Sequence, residues 1–491
     1  MQLIQTLLLI TVFVSMSLLM FMRKMPALIT LPVMAVLVGL IGGILPADII
    51  EFVIGQGSLK LYNAYTITMM GSMLSIVLQK TGVAESMIKK GAELSGDSPW
   101  IIAVMTLLLI VFLFSILGGL GAIIMVATIV LPIMTSVGIG PVTAVGIFLF
   151  GLSIGGIINV GNWAVYISVM GLQPDEIKRF ALIIFAISLL VAIIYITVQL
   201  YRDGQNINLR KISLVSLMLG IIFSGAFTLY NYFLAPSARN LVNQFFIGTG
   251  FVLKWAIALI IGLLFTAVTI RLILRKNEHE SDVHWTAYFS PVIPLFLILL
   301  FNLNFIASFI VGIIYAFMAT YKKGRLNLLV KCIFEGGAVV MPAVILMFGI
   351  GMLLIAIMGP GVELKQYPGG WPVLNLLKPL LLNIVPHSSL SYVAIFSLCA
   401  PLALYRGPLN VWGMGYGLAA VFLASGLNPG AIMGLLLSVG QIQGISDPTN
   451  THNVWLANEM QTDVQKLLKN TIPYTWAIAV LGLVCASLIY L

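Results

Sequence analysis

The chain has 491 residues, a formal net charge of +9, 60% hydrophobic residues and only 8% charged ones. Soluble domains carry about 25% charged residues, so this composition excludes an ordinary soluble fold and points to an all-α polytopic membrane protein with the lipid bilayer as its main partner. The positive balance would suggest nucleic acid in a soluble protein; here it has the pattern of cytoplasmic loops, and no nucleic-acid partner is expected.

Apolar runs near the roughly 20 residues needed to cross a bilayer recur throughout. They place spans at 3–22, 27–46, 62–82, 142–171, 181–201, 213–234, 250–272, 285–301, 303–320, 333–357, 428–458 and 471–490. The first run has no basic residue ahead of it and Arg23-Lys24 behind it. It therefore reads as a retained span rather than a cleaved signal. Two further apolar pairs, 98–137 and 390–426, are each interrupted by helix breakers, Leu117-Gly118-Gly119-Leu120-Gly121 and Tyr405-Arg406-Gly407-Pro408-Leu409. Such tips suit helical hairpins that enter and leave on one side, although an ordinary loop between two full spans has the same periodicity. The fold expected is about 12 spans plus two re-entrant hairpins. Cys332, Cys399 and Cys485 lie far apart inside apolar runs and read as packing residues.

With both termini outside, the outer face receives Lys60, Lys178, Arg179, Arg239, Lys365, Lys378 and Arg406, and Lys254 lies within a span. The remainder of the 25 Lys and Arg residues fall on the cytoplasmic side, the bias that positive-inside topology requires. A prokaryotic plasma membrane is the expected location.

Two stretches 288 positions apart are one element written twice. Gly140 to Lys178 aligns without a gap on Asn428 to Lys466, pairing Pro141 with Pro429, Gly146 with Gly434, Asn162 with Asn450, Gln173 with Gln461 and Asp175 with Asp463. Each copy starts as an apolar helix and loses helix formers midway, at Asn159-Val160-Gly161-Asn162 and at Ser446-Asp447-Pro448-Thr449-Asn450. Non-helical backbone at membrane depth survives only where it lines a site. Matching interruptions in two halves point to a substrate and ion site. The charge bias gives the two broken spans opposite directions. The chain then divides into a first inverted repeat over 1–203 (hairpin 98–137, broken helix 142–171), a linker with two spans over 204–284, and a second repeat over 285–491 (hairpin 390–426, broken helix 428–458).

Asp447 is the one carboxylate placed deep in the bilayer, where charge is costly and usually functional. With Ser446, Thr449, Asn450 and free carbonyls it offers hard oxygen ligands for a small cation, or a proton site. Asp447 could equally cap the second half-helix. Asn159 takes its place in the other half. Arg406, at a hairpin tip with Asn410 just beyond, is the natural fork for an oxyanion, against the alternative of a headgroup-region arginine. The substrate-contacting set expected is Arg406, Asn410, Asn159, Asn162, Asn450 and Thr451. His452 follows the break and could titrate, or serve as a hydrogen-bonding structural residue.

Two repeats, each a hairpin followed by a broken helix with Asn, Thr, Ser or Asp at the break, resemble the ion transporter superfamily. Its members include divalent anion–sodium symporters and citrate, gluconate and lactate permeases. The resemblance implies two clamps around the coupling ion: Gly119, Gly121, Asn159 and Asn162 in one, and Gly407, Asn410, Ser446, Asp447, Thr449 and Asn450 in the other. It further implies a homodimer and an elevator-like movement. The breaks read NVGN and SDPTN rather than the family's Ser-Asn-Thr triplet, which leaves Na+ and H+ both open. No nucleotide loop, nucleophile motif or metal-ligand spacing is present, so neither an enzyme nor a cofactor beyond the coupling ion is expected. The function expected is cation-coupled symport of a small organic anion such as a carboxylate. A Na+/H+ antiporter and a channel or receptor-like membrane protein are the alternatives.

Overall fold

The computed structural model describes residues 2–22, 24–93, 98–205, 236–274, 283–322, 326–386, 388–411 and 415–491. Among these residues all regular structure is helical. Among the described residues seven helices are long and apolar enough to cross a bilayer: Leu3–Met20, Pro46–Lys80, Pro141–Ile158, Pro174–Arg202, Gly248–Leu274, Leu326–Met358 and Val464–Tyr490. The protein is thus an integral membrane protein. The expected span 213–234 and the polar stretch Asn277 to Asp282 in the linker lie outside the described residues.

The two halves repeat helix for helix around their interruptions. Pro141–Ile158 and Pro429–Ser446 have 18 residues each, begin with proline in the first turn and are flanked at their starts by Gly140 and Asn428. Proline suits that position because its missing N–H would be unpaired there anyway. Val160–Met170 and Thr451–Glu459 resume the two helices, and Pro174–Arg202 and Val464–Tyr490 follow them. The first hairpin is Pro99–Phe114 and Leu120–Ser136; the second is Ser389–Cys399, a tight turn at Ala400–Arg406, and Tyr416–Ala424. The first hairpin's legs of 16 and 17 residues reach about 25 Å at roughly 1.5 Å per residue. The hydrocarbon core is about 30 Å thick, so each leg stands at the short end of what crosses it.

The halves interlock. Val160–Met170 packs on Tyr416–Ala424, while Thr451–Glu459 packs on Leu120–Ser136, so each resumed helix leans on the other half's hairpin. Where the two 18-residue helices cross, Ser153 Oγ donates to Gln441 Oε1 at 2.8 Å. These residues are 288 positions apart and so are repeat mates.

A second layer supports this pair of units. Ala27–Ile41, Tyr62–Lys80 and the segment around Gly57 pack along Leu326–Met358. Ser72 Oγ donates to the Gly336 carbonyl at 2.8 Å, and Lys80 meets Glu335 at 3.1 Å. At one end of this layer, Tyr367 donates to Asp48 at 2.6 Å and accepts from the Leu45 N–H at 2.9 Å. This ties the 359–371 loop to the turn at Pro46.

Several elements differ from expectation. Residues 47–59, between the expected spans 27–46 and 62–82, belong to a helical stretch with a π segment at Ile49–Gln56. Val83–Glu93 and Pro372–Ile384 are amphipathic helices that precede the two hairpins, and the apolar-run criterion passed over them. The span expected at 250–272 belongs to a longer helix, Pro236–Leu274. The first break is narrower than the NVGN stretch: Asn159 alone leaves the helix, with ψ 116°, and Asn162 already lies in the resumed turn. One residue suffices because Asn159 Oδ1 accepts from the Gly161 N–H at 3.0 Å and restarts the helix at once. The second break is wider because Pro448 pushes the residue before it out of the helical region; Asp447 has ψ 113°.

Candidate functional site

Each break is fastened to its own hairpin, with opposite hydrogen-bond polarity. In the first half Asn159 Nδ2 donates to the Phe114 carbonyl at 3.2 Å, where the first hairpin leg ends. In the second half the tip presents a donor instead. Tyr405 N–H donates to Asp447 Oδ1 at 3.0 Å, joined by Thr449 N–H at 2.9 Å and Thr449 Oγ1 at 2.8 Å. Asn410 Nδ2 approaches Asp447 Oδ2 at 3.4 Å. Asp447 is fully buried, and these donors supply what water would otherwise give a buried carboxylate. Tyr405 sits in the left-handed region at φ 54°, a conformation that costs a non-glycine residue about 1–2 kcal/mol. The Asp447 bond holds the tip in that shape.

The remaining polar groups at the second break knit it together. Asn450 Nδ2 donates to the Gln443 carbonyl at 2.6 Å, and Asn453 Nδ2 donates to the Asp447 carbonyl at 2.9 Å and the Ile445 carbonyl at 3.1 Å. His452 Nε2 lies 3.3 Å from the Gly444 carbonyl. Gln443 Oε1 accepts from the Val411 N–H at 2.7 Å, a second tie to the hairpin. Asn162 Nδ2 donates to the Gly156 carbonyl at 2.8 Å across the first break. These side chains satisfy carbonyls that the interrupted helices leave unpaired.

A cavity of about 760 Å³ opens between the two breaks. Asn159, Asn162, Asn410, Asn450, Thr451, His452 and Gly119 all line it, so both halves contribute to one chamber. Gly119 forms part of the first tip, where φ +84° requires glycine. The other expected residues lie around the chamber rather than on it. Ser446 turns toward Val464–Tyr490, with its hydroxyl 2.8 Å from both Thr471 Oγ1 and Thr475 Oγ1. Asp447 and Thr449 form the lock behind the wall, Gly407 packs against the Leu402 carbonyl, and Gly121 faces Gln79. The Arg406 side chain lies outside the described residues.

Sequence reasoning missed Ser153, Gln441, Gln443 and Tyr166, which also line the chamber. Two glutamines inside an apolar helix, in the run Gly440-Gln441-Ile442-Gln443-Gly444, were the available signal. Among the described lining residues none carries a Lys, Arg, Asp or Glu side chain. Attraction for an anion at those residues comes from hydroxyl, amide and imidazole donors and from helix ends. The second break offers the better end. Asn450 gives no side-chain cap to the helix Thr451–Glu459, so its first-turn N–H groups stay available beside Thr451 and His452. The first resumed helix is already capped by Asn159.

No family model matches the sequence, and no curated protein matches it. Among solved structures the chain resembles the YdaH transporter of Alcanivorax borkumensis, whose crystal structure is described as revealing an unusual topology. The identity is 14%, over 86% of this chain and 84% of that one, with a TM-score of 0.44. At that level the likeness says nothing about substrate or mechanism.

Proposed function

We propose that the protein is a secondary active transporter of the ion transporter type, carrying a small organic anion such as a carboxylate by symport with Na+ or H+. The observation behind this reading is that two interrupted helices and two hairpin tips from repeated halves converge on one chamber of about 760 Å³, with no Lys, Arg, Asp or Glu among its described lining residues. A chamber of that size suits an organic ligand, whereas a bare-ion antiporter has no use for it. The carboxylate rests on the uncapped start of Thr451–Glu459, where the helix dipole favours negative charge. Asp447 lies behind that seat in the same break. A coupling ion bound at this break and a substrate on the seat then favour the same state. The hairpins and broken helices move together in an elevator fashion within a homodimer in a prokaryotic plasma membrane.

A thermal-shift screen of mono-, di- and tricarboxylates, with and without sodium and at two pH values, tests the reading. An acid that raises the melting temperature more when the coupling ion is present supports it. The same acid should shield a cysteine placed at Thr451 from a soluble thiol reagent. A panel in which no carboxylate stabilises the protein under any ion condition refutes it.

A further inference from the structure

Most polar side chains on the chamber wall are committed to backbone carbonyls or to the hairpin tips. Ser153 and Gln441 differ. They sit within the uninterrupted helices Pro141–Ile158 and Pro429–Ser446, whose backbones need no help there. Their hydrogen bond at 2.8 Å joins one side chain to the other. Gln441 also back-bonds weakly to the Leu437 carbonyl at 3.3 Å, which leaves its amide one further N–H, and the Ser153 oxygen retains lone pairs to accept with. Both residues line the chamber where the two helices cross. Gly440, Gly444 and Gly156 line the wall beside them, keeping it low enough for a ligand to reach the pair. Polar residues placed only to glue membrane helices together would not need to face a cavity.

We infer that Ser153 and Gln441 determine substrate specificity by binding an uncharged donor–acceptor group, a hydroxyl or an amide, on the substrate. This rests on the carboxylate being seated at Thr451–Glu459, as proposed above. The pair offers one N–H donor and one hydroxyl oxygen without formal charge. A second carboxylate placed there would meet no cation among the described residues, whereas a hydroxyl or amide can both give and accept. A site built around such a group rejects an analogue that lacks it, because its buried polar atoms are then left unpaired. The substrate is therefore a hydroxy- or amido-acid in preference to its deoxy or keto counterpart.

The test uses matched pairs of acids on the purified full-length protein, read by thermal shift: lactate against propionate, malate against succinate, and N-acetylglycine against 4-oxopentanoate. In the wild type at least one pair should be separated by about tenfold in affinity, in favour of the hydroxyl or amide member. Ser153→Ala and Gln441→Leu should collapse that ratio toward one. Thr197→Val, which breaks the Trp100 Nε1 to Thr197 Oγ1 bond of 3.0 Å away from the chamber, should lower the melting temperature and keep the ratio. If one variant misfolds, the other carries the measurement, and Gln441→Asn supplies a shorter amide that should narrow the ratio partially. A wild type that binds both members of every pair equally overturns the inference, as does a ratio that survives in both variants. Binding without uptake into proteoliposomes overturns the transport reading alone, and a protein that binds no acid overturns both.

Discussion

Asp447→Asn is the most informative single change, because the second hairpin closes on a carboxylate. The bonds described at the wild-type side chain include three close ones, from Tyr405 N–H, Thr449 N–H and Thr449 Oγ1, and a longer one from Asn410 Nδ2. An asparagine keeps one acceptor oxygen for the first three. Its Nδ2 then faces Asn410 Nδ2, donor against donor, and Asn410 cannot turn over without losing its bond to the Ala403 carbonyl. Bonds to a charged acceptor contribute about 1.5–3 kcal/mol against about 0.5–1.5 for neutral ones, so three weakened bonds cost about 3 kcal/mol. Relief from burying a charge returns part of that. The net loss of about 2 kcal/mol makes opening of the tip roughly thirtyfold more frequent. Hydrogen–deuterium exchange should show it at the Tyr405 amide, where relaxation of the strained φ adds to the effect. If Asp447 also carries the coupling ion, substrate exchange should persist in proteoliposomes while gradient-driven accumulation disappears. Wild-type exchange protection at the tip together with wild-type ion dependence would refute both parts of the reasoning.

A cysteine at Lys89, on the exposed face of Val83–Glu93, should react only from the cytoplasm and one at Lys365 only from outside, in a background lacking the three native cysteines; reaction of both from one side refutes the topology. Gly57→Ala drives a Cβ to 2.7 Å from the Met352 Cα and should destabilise the supporting layer by about 1–3 kcal/mol, whereas Gly248→Ala, with open space around it, should melt like the wild type. Tyr367 has its pKa raised above 10.0, first by burial and then by its bond to Asp48. Its stabilising contribution is therefore full below about pH 10 and fades as pH rises through the raised value. Tyr367→Phe should accordingly lower the melting temperature at pH 7, and the difference from wild type should shrink in strong alkali; a gap that widens there refutes the assignment.

The large features of this fold were legible because they depend on apolar run length and on chain breakers. Pro141 and Pro429 mark the starts of two equivalent helices, and Asn159 and Pro448 mark their interruptions. What stayed hidden depends on rotation about a helix axis. Ser446 stands next to Asp447 in sequence, yet it points at Thr471 and Thr475 rather than at the chamber. Gln441 and Ser153 are not identical, so matching letters in the repeat give no reason to pair them, although the fold brings them into contact. The lock at Asp447 was half legible. Its cap to Thr449 follows from the Asp-Pro-Thr order, but the Tyr405 N–H comes from a residue 42 positions away. Val83–Glu93 and Pro372–Ile384 escaped notice because an amphipathic helix leaves no continuous apolar run.

Ion-driven uptake bears most directly on the central claim. Purified protein in sealed proteoliposomes would receive an inward sodium or proton gradient and the labelled acid that stabilises it best. The account predicts an overshoot above equilibrium that one of the two gradients drives, that an ionophore for that ion abolishes, and that Asp447→Asn lacks. Uptake that only reaches equilibrium under either gradient would contradict it.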